Sequence, residues 1–181
     1  MIQPNCEETI ESLFEHAIEI EYKAAHLYEK LSKLFSHVEG LSDFWDELVN
    51  DEKQHATTLQ EVKKQLTPEQ LLTHSDKEIW ANIASLQRLL SKDLVGAIKT
   101  LDDAYELAHE LEFSEVNAIF KFLTVGFIPS DARKKHVNSH IQEHQQKLLD
   151  FSRNFGDRNW RKGIKIFRAT DAANLPAPKA V

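Results

Sequence analysis

The sequence predicts an all-α protein that folds as one antiparallel four-helix bundle, with a long crossover between helices two and three. Three observations predict it. The 181 residues contain only five Gly and five Pro, which suits long helices with few turns. Apolar residues recur at alternating intervals of three and four along four segments, which is the spacing of one helix face. Short connections pair helices one and two and helices three and four as antiparallel neighbours, and a long connection joins the two pairs.

The first helix precedes Gly40, which ends the helix or its loop. Helix two runs from about Leu41 to Leu66, and Thr67-Pro68 stops it because proline has no backbone N–H to donate. The apolar spacing assigns an inner face to each helix, and both faces include polar members. The inner residues of helix one are Ile10, Phe14, Ala17, Glu21, Ala24, Tyr28, Leu31 and Phe35, and those of helix two are Trp45, Leu48, Glu52, His55, Leu59 and Val62.

The second pair of helices follows a connection over residues 67–91, which we expect to be partly helical itself. Helix three runs from about Lys92 toward Val125, and helix four occupies about Asp131 to Arg153. The same spacing gives both helices an inner face. The inner residues of helix three are Leu94, Ile98, Leu101, Tyr105, Ala108, Glu112, Ile119 and Leu123, and those of helix four are Val137, Ile141, His144, Leu148 and Phe151.

Composition and charge exclude several classes of protein. The formal net charge of −7 argues against nucleic-acid binding. No stretch approaches the roughly 20 apolar residues of a membrane helix, and Met1–Glu8 lacks the pattern of a signal peptide. Cys6 is the single cysteine, so no intramolecular disulfide is expected and the location is predicted to be cytoplasmic. We expect the bundle to cover residues 1–155, with residues 156–181 as a basic, partly flexible tail.

An internal repeat relates the first and third helices. Helix one contains FEHAIEIEY and helix three contains YELAHELEF. Superposed, the two segments place Glu21 opposite Glu112, and each is a carboxylate on an otherwise apolar face. A histidine follows each glutamate at a similar interval, His55 in the first half and His144 in the second. Chance similarity between two amphipathic helices rich in glutamate is the alternative interpretation.

The inner polar residues predict a metal site. In Glu52-x-x-His55, a carboxylate and an imidazole lie one turn apart on one face of helix two. Buried carboxylates need a counter-ion, because like charges repel and desolvation opposes ionisation. Two divalent cations would be balanced by four carboxylates and two neutral imidazoles. The candidate ligands on the four helices are Glu21, Glu52, His55, Glu112, Glu115 and His144.

The type of ligand indicates the metal. Mixed oxygen and nitrogen ligands suit iron or manganese better than the thiolate-rich sites that are typical of structural zinc. The ligand types therefore predict iron or manganese, as one ion or two, with zinc as a further alternative. The competing hypothesis is that several of these glutamates face water and that the histidines have local partners.

The chain resembles rubrerythrin and its ferritin-like relatives over about residues 6–155. The motifs that carry the resemblance are Glu21-x-x-Ala24-x-x-x-Tyr28, Glu52-Lys-Gln-His55-Ala56, and His144 followed by Lys147-Leu-Leu-Asp-Phe151. The resemblance implies a ferritin-like antiparallel four-helix bundle with one long crossover, a non-haem di-iron site, and often reduction of peroxide or oxygen. It also implies that the metal ligands are Glu21, Glu52, His55, Glu112 and His144, with Glu115 as an additional third-helix carboxylate.

Two features depart from the family's pattern. The family usually has a second Glu-x-x-His on helix four, but the residue three before His144 is Ile141. A carboxylate expected to bridge the metals is therefore missing, and His140, one turn before His144, is the candidate substitute. Rubrerythrins also commonly end in a rubredoxin domain with two CxxC pairs, which this sequence lacks. Electrons for a redox reaction would then come from a separate partner.

Three functions fit these observations. The first is an oxidoreductase that reduces a small-molecule oxidant, peroxide or oxygen, with electrons from a separate donor protein. The second is a degenerate, non-catalytic bundle that serves as a metal-binding or interaction module, which Ile141 favours. The third is iron storage, which would need a large cage. A homodimer is the expected assembly, with no nucleic-acid or membrane partner.

The remaining aromatic and histidine residues are expected to be structural or solvated. Tyr28 and Tyr105 are expected to be core aromatics, with hydrogen bonding near the metal as the alternative. The histidines that fall off the inner faces and are expected in solvent are His16, His26, His37, His74 and His109.

Overall fold

A computed structural model describes residues 8–91, 94–113, 115–127 and 130–155, without the side chains of residues 115–117, 132, 133, 136 and 152–155. The predicted tail, residues 156–181, lies outside the described residues. The described residues form the helices α1 (Ile10–Leu34), α2 (Leu41–Lys64), α3 (Pro68–Leu71), α4 (Lys77–Leu90), α5 (Leu94–Ala97), α6 (Leu101–Glu112), α7 (Glu115–Phe127) and α8 (Asp131–Phe155). Their β-type pairing is limited to one isolated bridge, between Thr9 and His74.

Helices α1 and α2 form an antiparallel hairpin. The hydroxyl of Thr9 caps α1 by accepting the N–H of Ser12 at 3.2 Å. Gly40 turns the chain into α2 with a φ of 79°, in the left-handed region that favours a residue without Cβ. Lys63, at the end of α2, donates to Glu15, near the start of α1, at 2.8 Å. The two helices therefore run in opposite directions.

The long connection between α2 and α6 contains α3, α4 and α5. Thr67 and Gln70 form a capping box at α3, and the Asp76 carboxylate caps α4 by accepting the N–H of Glu78 at 3.1 Å. Helix α4 packs against α1 and α7, with Ile83 among its buried residues. The connection is thus partly helical, as predicted, and it covers one side of the bundle.

The prediction of one continuous third helix from Lys92 to Val125 is wrong, because the structure has α5, α6 and α7 in its place. A capping box begins α6: the Asp103 carboxylate accepts the N–H of Thr100 at 2.9 Å, and the Thr100 hydroxyl accepts that of Asp103 at 3.1 Å. Helix α6 ends at Phe113, whose backbone angles, φ −97° and ψ 3°, depart from those of an α-helix. These local end signals outweigh the continuous apolar spacing.

Helix α8 packs against α6, α7 and α2. Phe151, near its end, stacks on Tyr105, near the start of α6, with ring centres 5.7 Å apart, so α6 and α8 are antiparallel. The prediction of an all-α helical bundle is confirmed. In the part of the chain that the structure describes, no helix has the length and apolar character needed to cross a membrane.

The core consists of two apolar clusters, and every inner residue predicted for α1, α2 and α8 is buried. The first cluster contains Ile10, Leu13, Phe14, Ala17, Ile20, Leu27, Leu59, Val62, Ile79, Ile83, Leu86, Leu111, Ile119, Phe120, Leu123, Val137 and Ile141. The second cluster contains Ala25, Tyr28, Leu31, Phe35, Leu41, Trp45, Leu48, Val49, Ala104, Tyr105, Ala108, Leu148 and Phe151. The buried polar residues between them, here named the polar layer, are Glu21, Glu52, His55, Glu112 and His144.

Candidate metal centre

The polar layer lies where the two apolar clusters meet. On α2 and α8, the chain passes from one cluster to the other at the residues of the layer, and on α1 the second cluster begins after Glu21, although Leu27 belongs to the first. The helical spacing that points the apolar residues inward therefore points these polar residues inward too. Each of the five is at most 3% exposed. The layer thus holds three carboxyl groups and two imidazoles with almost no contact with water.

Glu52 occupies the middle of the layer, between two histidines. Its Oε2 lies 3.3 Å from Nδ1 of His55, one turn further along α2. Its Oε1 lies 3.6 Å from Nε2 of His144 on α8. One carboxylate therefore faces an imidazole on either side, through a different oxygen in each case.

Glu21 and Glu112 stand on the two sides of this centre. Oε2 of Glu21 lies 3.8 Å from Nδ1 of His55, and Oε2 of Glu112 lies 3.3 Å from Nδ1 of His144. The hydroxyl of Tyr28 on α1 donates to Oε1 of Glu112 on α6 at 2.5 Å. The buried Tyr28 is thus a core aromatic, as predicted, and its hydroxyl donates a hydrogen bond to a carboxyl group of the layer.

Burial and mutual repulsion shift the proton equilibria of the layer. Burial raises the pKa of the Glu112 carboxyl to about 7, with the charge of Glu52 adding to the rise and that of His144 opposing it. Burial and the charge of Glu21 also raise the pKa of Glu52. Burial lowers the pKa of His55, but the carboxylates of Glu21 and Glu52 outweigh this effect and raise it to about 11. The layer therefore favours bound positive charge.

The residues of the layer fit a metal ion. Two ligand atoms that each bind an ion at about 2.1 Å can lie at most about 4.2 Å apart. The distances from Glu52 to His55 and to His144 are within this limit, and one ligand atom from each of the three residues lies within 4.8 Å of the other two. Oε2 of Glu21 and both ring nitrogens of His144 are buried without a hydrogen-bond partner. Such atoms are costly to bury unless something binds them.

The structure places the other predicted site residues as follows. His140 lies on the far side of His55, with its Nδ1 3.3 Å from Nε2 of His55, and it is half-buried. His140 therefore contacts the imidazole of His55, which is itself a candidate ligand. Ile141 is buried in the first apolar cluster. The side chain of Glu115 lies outside the described residues.

Two residues next to the layer were not among the predicted site residues. Asp51, which precedes Glu52, has its Oδ2 3.8 Å from Nε2 of His144. Lys147 donates to the same Asp51 oxygen at 2.7 Å. The available signal was that Lys147 lies one turn after His144 on α8, so the two share a face.

Two of the histidines expected in solvent have partners instead. Nδ1 of His16 lies 2.9 Å from Nε2 of Gln87, and its ring meets that of Trp80 edge-on at 5.5 Å. The ring of His109 stacks on that of Phe113 at 4.3 Å. Both are half-buried, because α4 and the end of α6 cover parts of the surface that the sequence pattern assigned to solvent. His26, His37 and His74 are exposed, as predicted.

The fold and the site together define a class: an all-α helical bundle with a buried Glu52, His55 and His144 group that could hold a metal ion. Comparisons with models of protein families, with curated proteins and with solved structures found no match.

Proposed function

We propose that the protein binds iron in the polar layer and acts as a ferritin-like oxidoreductase of the rubrerythrin type. It would reduce peroxide or oxygen with electrons from a separate donor protein. The mixed carboxylate and imidazole ligands support iron, or manganese in its place, over a structural zinc ion. The buried position supports a redox centre, because burial excludes water and limits the access of other reactants.

The observation that carries the proposal is the position of Glu52 between two buried histidines. Because its oxygens face different imidazoles, at 3.3 and 3.6 Å, Glu52 is the residue that would bridge two ions. His55 and Glu21 would complete the ligands on one side, and His144 and Glu112 those on the other. A single ion held by Glu52 and the two histidines is the simpler arrangement of the same residues.

The neighbouring residues would position the ligands and exclude water. The ring of Phe120 lies 4.3 Å from the ring of His55, centre to centre, and covers it. The hydroxyl of Tyr28 would hold Glu112 in one orientation, as hydrogen bonds to metal ligands commonly do. His140 would act in the same way on His55, whose Nε2 it contacts while Nδ1 faces Glu52.

The proposed reaction has a simple balance. Peroxide takes up two electrons and two protons, its O–O bond breaks, and two water molecules form. Bound iron would supply the one-electron steps between its oxidation states. The electrons would come from the donor protein, and the protons from solvent.

Metal analysis tests the binding part of this proposal. Protein purified without chelator and loaded with Fe(II) in the absence of air should contain about two irons per chain if Glu52 bridges, or about one if it does not. Glu52→Ala should lose most of the metal. Glu19→Ala is the matched control, because Glu19 lies on the same helix as Glu21 but is exposed and pairs with Lys23 at 2.8 Å. Equal loss in both variants, or no metal in the unchanged protein, would contradict the proposal.

Peroxide consumption tests the redox part. Iron-loaded protein is mixed with peroxide and a chemical reductant, and the loss of peroxide is followed against Glu52→Ala treated in the same way. Turnover well above that of the variant supports an oxidoreductase. If the unchanged protein has its full metal content but consumes peroxide no faster than Glu52→Ala, the oxidoreductase function is refuted and the metal-binding function stands.

That last outcome would support the second candidate, a non-catalytic bundle that serves as a metal-binding or interaction module. The observation that favours it is Ile141, which is buried in the first apolar cluster where the family's pattern has a metal-bridging carboxylate.

A further inference from the structure

A fourth carboxylate, Asp51, lies at the edge of the polar layer. Its Oδ2 is 3.8 Å from Nε2 of His144, and Oε1 of Glu52 is 3.6 Å from the same nitrogen. This nitrogen is buried and has no hydrogen-bond partner. Because two ligands of one ion can lie up to about 4.2 Å apart, Asp51 and His144 are close enough to share a cation. The nitrogen of His144 therefore faces two carboxylates, one inside the layer and one at its edge.

Asp51 connects the layer to solvent. Its side chain is 12% exposed, whereas the side chains of the layer's three glutamates, taken without their backbone, are 2–4% exposed. Lys147, whose side chain is 34% exposed, donates from Nζ to Oδ2 of Asp51 at 2.7 Å. The same ammonium lies 3.7 Å from Oε2 of the exposed Glu47. A positive charge of the protein itself thus lies between two carboxylates, next to the carboxylate that faces His144.

We propose that Asp51 and His144 form the uptake site of the centre, where an incoming divalent cation first binds by displacing the ammonium of Lys147 from Asp51. The cation would then pass to Glu52, which faces the same nitrogen of His144. This inference rests on the metal-binding function proposed above and adds the route by which the metal arrives.

The Asp51 side suits a cation better than the other partly open side of the layer, where His140 covers His55. A hydrated divalent ion gives up its water most readily to anionic oxygen ligands. Asp51 offers a carboxylate that already binds a cation, the Lys147 ammonium. The contact of His140 is from its Nδ1 to Nε2 of His55 at 3.3 Å, which joins two imidazoles and no carboxylate.

The rate of Co(II) uptake by the full chain tests the proposal, with stopped-flow absorbance as the signal. Lys147→Met should take up Co(II) about two- to fivefold faster than the unchanged protein, the factor expected from the loss of one partly exposed ion pair. Lys147→Arg, which keeps the charge, should remain slow. Asp51→Asn should be slower by a similar factor, because the first ligand is lost.

A matched pair on the surface supplies the control. Lys53 donates to Glu29 at 2.8 Å, in an exposed ion pair between α1 and α2. Lys53→Met removes the same charge from the same kind of pair, and it should leave the uptake rate unchanged. An acceleration equal to that of Lys147→Met would mean that net charge alone sets the rate, and would overturn the proposal.

The double variant separates displacement from simple repulsion. If Lys147 acts by occupying Asp51, Lys147→Met should give no acceleration in the Asp51→Asn background. A full acceleration by Lys147→Met in the Asp51→Asn background would overturn the proposal. Slow uptake in His140→Ala together with normal uptake in Asp51→Asn would also overturn it, because the cation would then enter on the His140 side.

Normal Co(II) binding with no effect of Lys147→Met would refute the uptake site alone. Absence of Co(II) binding in the unchanged protein would refute the proposed function as well.

Discussion

The α1–α2 half of the bundle supplies Glu21, Glu52 and His55 to the polar layer, whereas the described side chains of the α6–α8 half supply Glu112 and His144. The two halves share a sequence pattern, and Glu52-x-x-His55 in the first corresponds to Ile141-x-x-His144 in the second. Ile141 packs in the first apolar cluster. The second half therefore keeps the histidine of the pattern, but at the position that corresponds to Glu52 it has a buried isoleucine instead of a carboxylate.

The first half completes the second through contacts that cross between them. The hydroxyl of Tyr28 on α1 donates to Glu112, and both Glu52 and Asp51 on α2 face Nε2 of His144. Burying a carboxylate is unfavourable unless it is paired, so a second half with fewer carboxylates needs fewer compensating partners. The difference teaches that the two halves contribute unequally to the site. The first half supplies two of the layer's three carboxylates, and it also supplies the carboxylates, Glu52 and Asp51, that face Nε2 of His144 in the second half.

The largest expected effect compares the histidines of the two halves. His55→Ala and His144→Ala should each weaken Fe(II) or Co(II) binding by more than about 100-fold, beyond the 10- to 100-fold that losing an outer-shell partner costs. The reason is that each imidazole faces Glu52 directly. Isothermal titration measures the affinity.

His26→Ala is the control for this comparison, because His26 is an exposed histidine on α1 that pairs with Glu29. It should bind metal like the unchanged protein. A strong loss in His55→Ala with little loss in His144→Ala would mean that the second half is only scaffold, and that the ion binds to the first half by itself.

The pH dependence of stability should differ between the halves when metal is removed with a chelator. The folded-state pKa values of Glu112 (about 7) and His55 (about 11) are both raised, so the folded protein binds these protons more tightly than the unfolded chain does. Protonated Glu112 contributes its full share of the free energy of unfolding below about pH 4.5, and this share is lost as the pH rises to about 7. Protonated His55 contributes its full share below about pH 6.5, and this share is lost as the pH rises toward about 11. We therefore expect the unfolding temperature in chelator to fall from about pH 5 to about pH 9.

Added metal should reverse this trend, because metal ligands must lose their protons before they bind. The increase in unfolding temperature on adding Co(II) should grow with pH, as measured by circular dichroism. Glu112→Gln should reduce the decrease between about pH 4.5 and about pH 7 in chelator, to which the raised pKa of Glu52 also contributes, and should leave the decrease above about pH 7. An unfolding temperature in chelator that rises from about pH 5 to about pH 9 would contradict the prediction.

The sequence predicted the inner faces well and the ends and edges of the site poorly. Helical spacing fixes which residues share a face, so Glu21 and Glu112 were visible as single carboxylates on apolar stripes. Asp51 is off the stripe of α2 and meets His144 only because α2 and α8 pack together, which depends on how the helices are rotated. The break before α6 depends on the capping box of Thr100 and Asp103, a local signal that the apolar spacing does not contain.

Ile141→Glu tests the difference between the halves by giving the second half the carboxylate that it lacks. We expect metal affinity to rise by at least about tenfold, comparable to the effect of a supporting ligand. In chelator, stability should fall by about 1–3 kcal/mol, because a polar group replaces a buried apolar side chain. Calorimetric titration and denaturant unfolding measure the two effects.

Ile141→Gln is the control, since it has a similar size and polarity but no charge. It should lose stability in chelator without gaining affinity for metal. If Ile141→Glu also gains no affinity, position 141 is core alone, and the site does not need a second bridging carboxylate.

The smallest expected effect concerns one of the hydrogen bonds between the halves, from Tyr28 to Glu112. Tyr28→Phe removes the donor to Glu112 and should lower metal affinity by about tenfold at most, the low end of the range for outer-shell partners. Tyr22→Phe is the control, because the exposed Tyr22 hydroxyl on the same helix accepts only a 3.3 Å bond from Gln60 in the described structure. Titration of both variants with Co(II) gives the comparison.

A double-variant cycle shows through which half Tyr28 acts. If it orients Glu112, Tyr28→Phe should cause no further loss of affinity in a Glu112→Gln background, but its full loss in a Glu21→Gln background. Equal losses in both backgrounds would mean that Tyr28 stabilises the bundle as a whole. The Tyr28 hydroxyl would then not act on the metal site through Glu112, and its effect on affinity would come from its packing in the second apolar cluster.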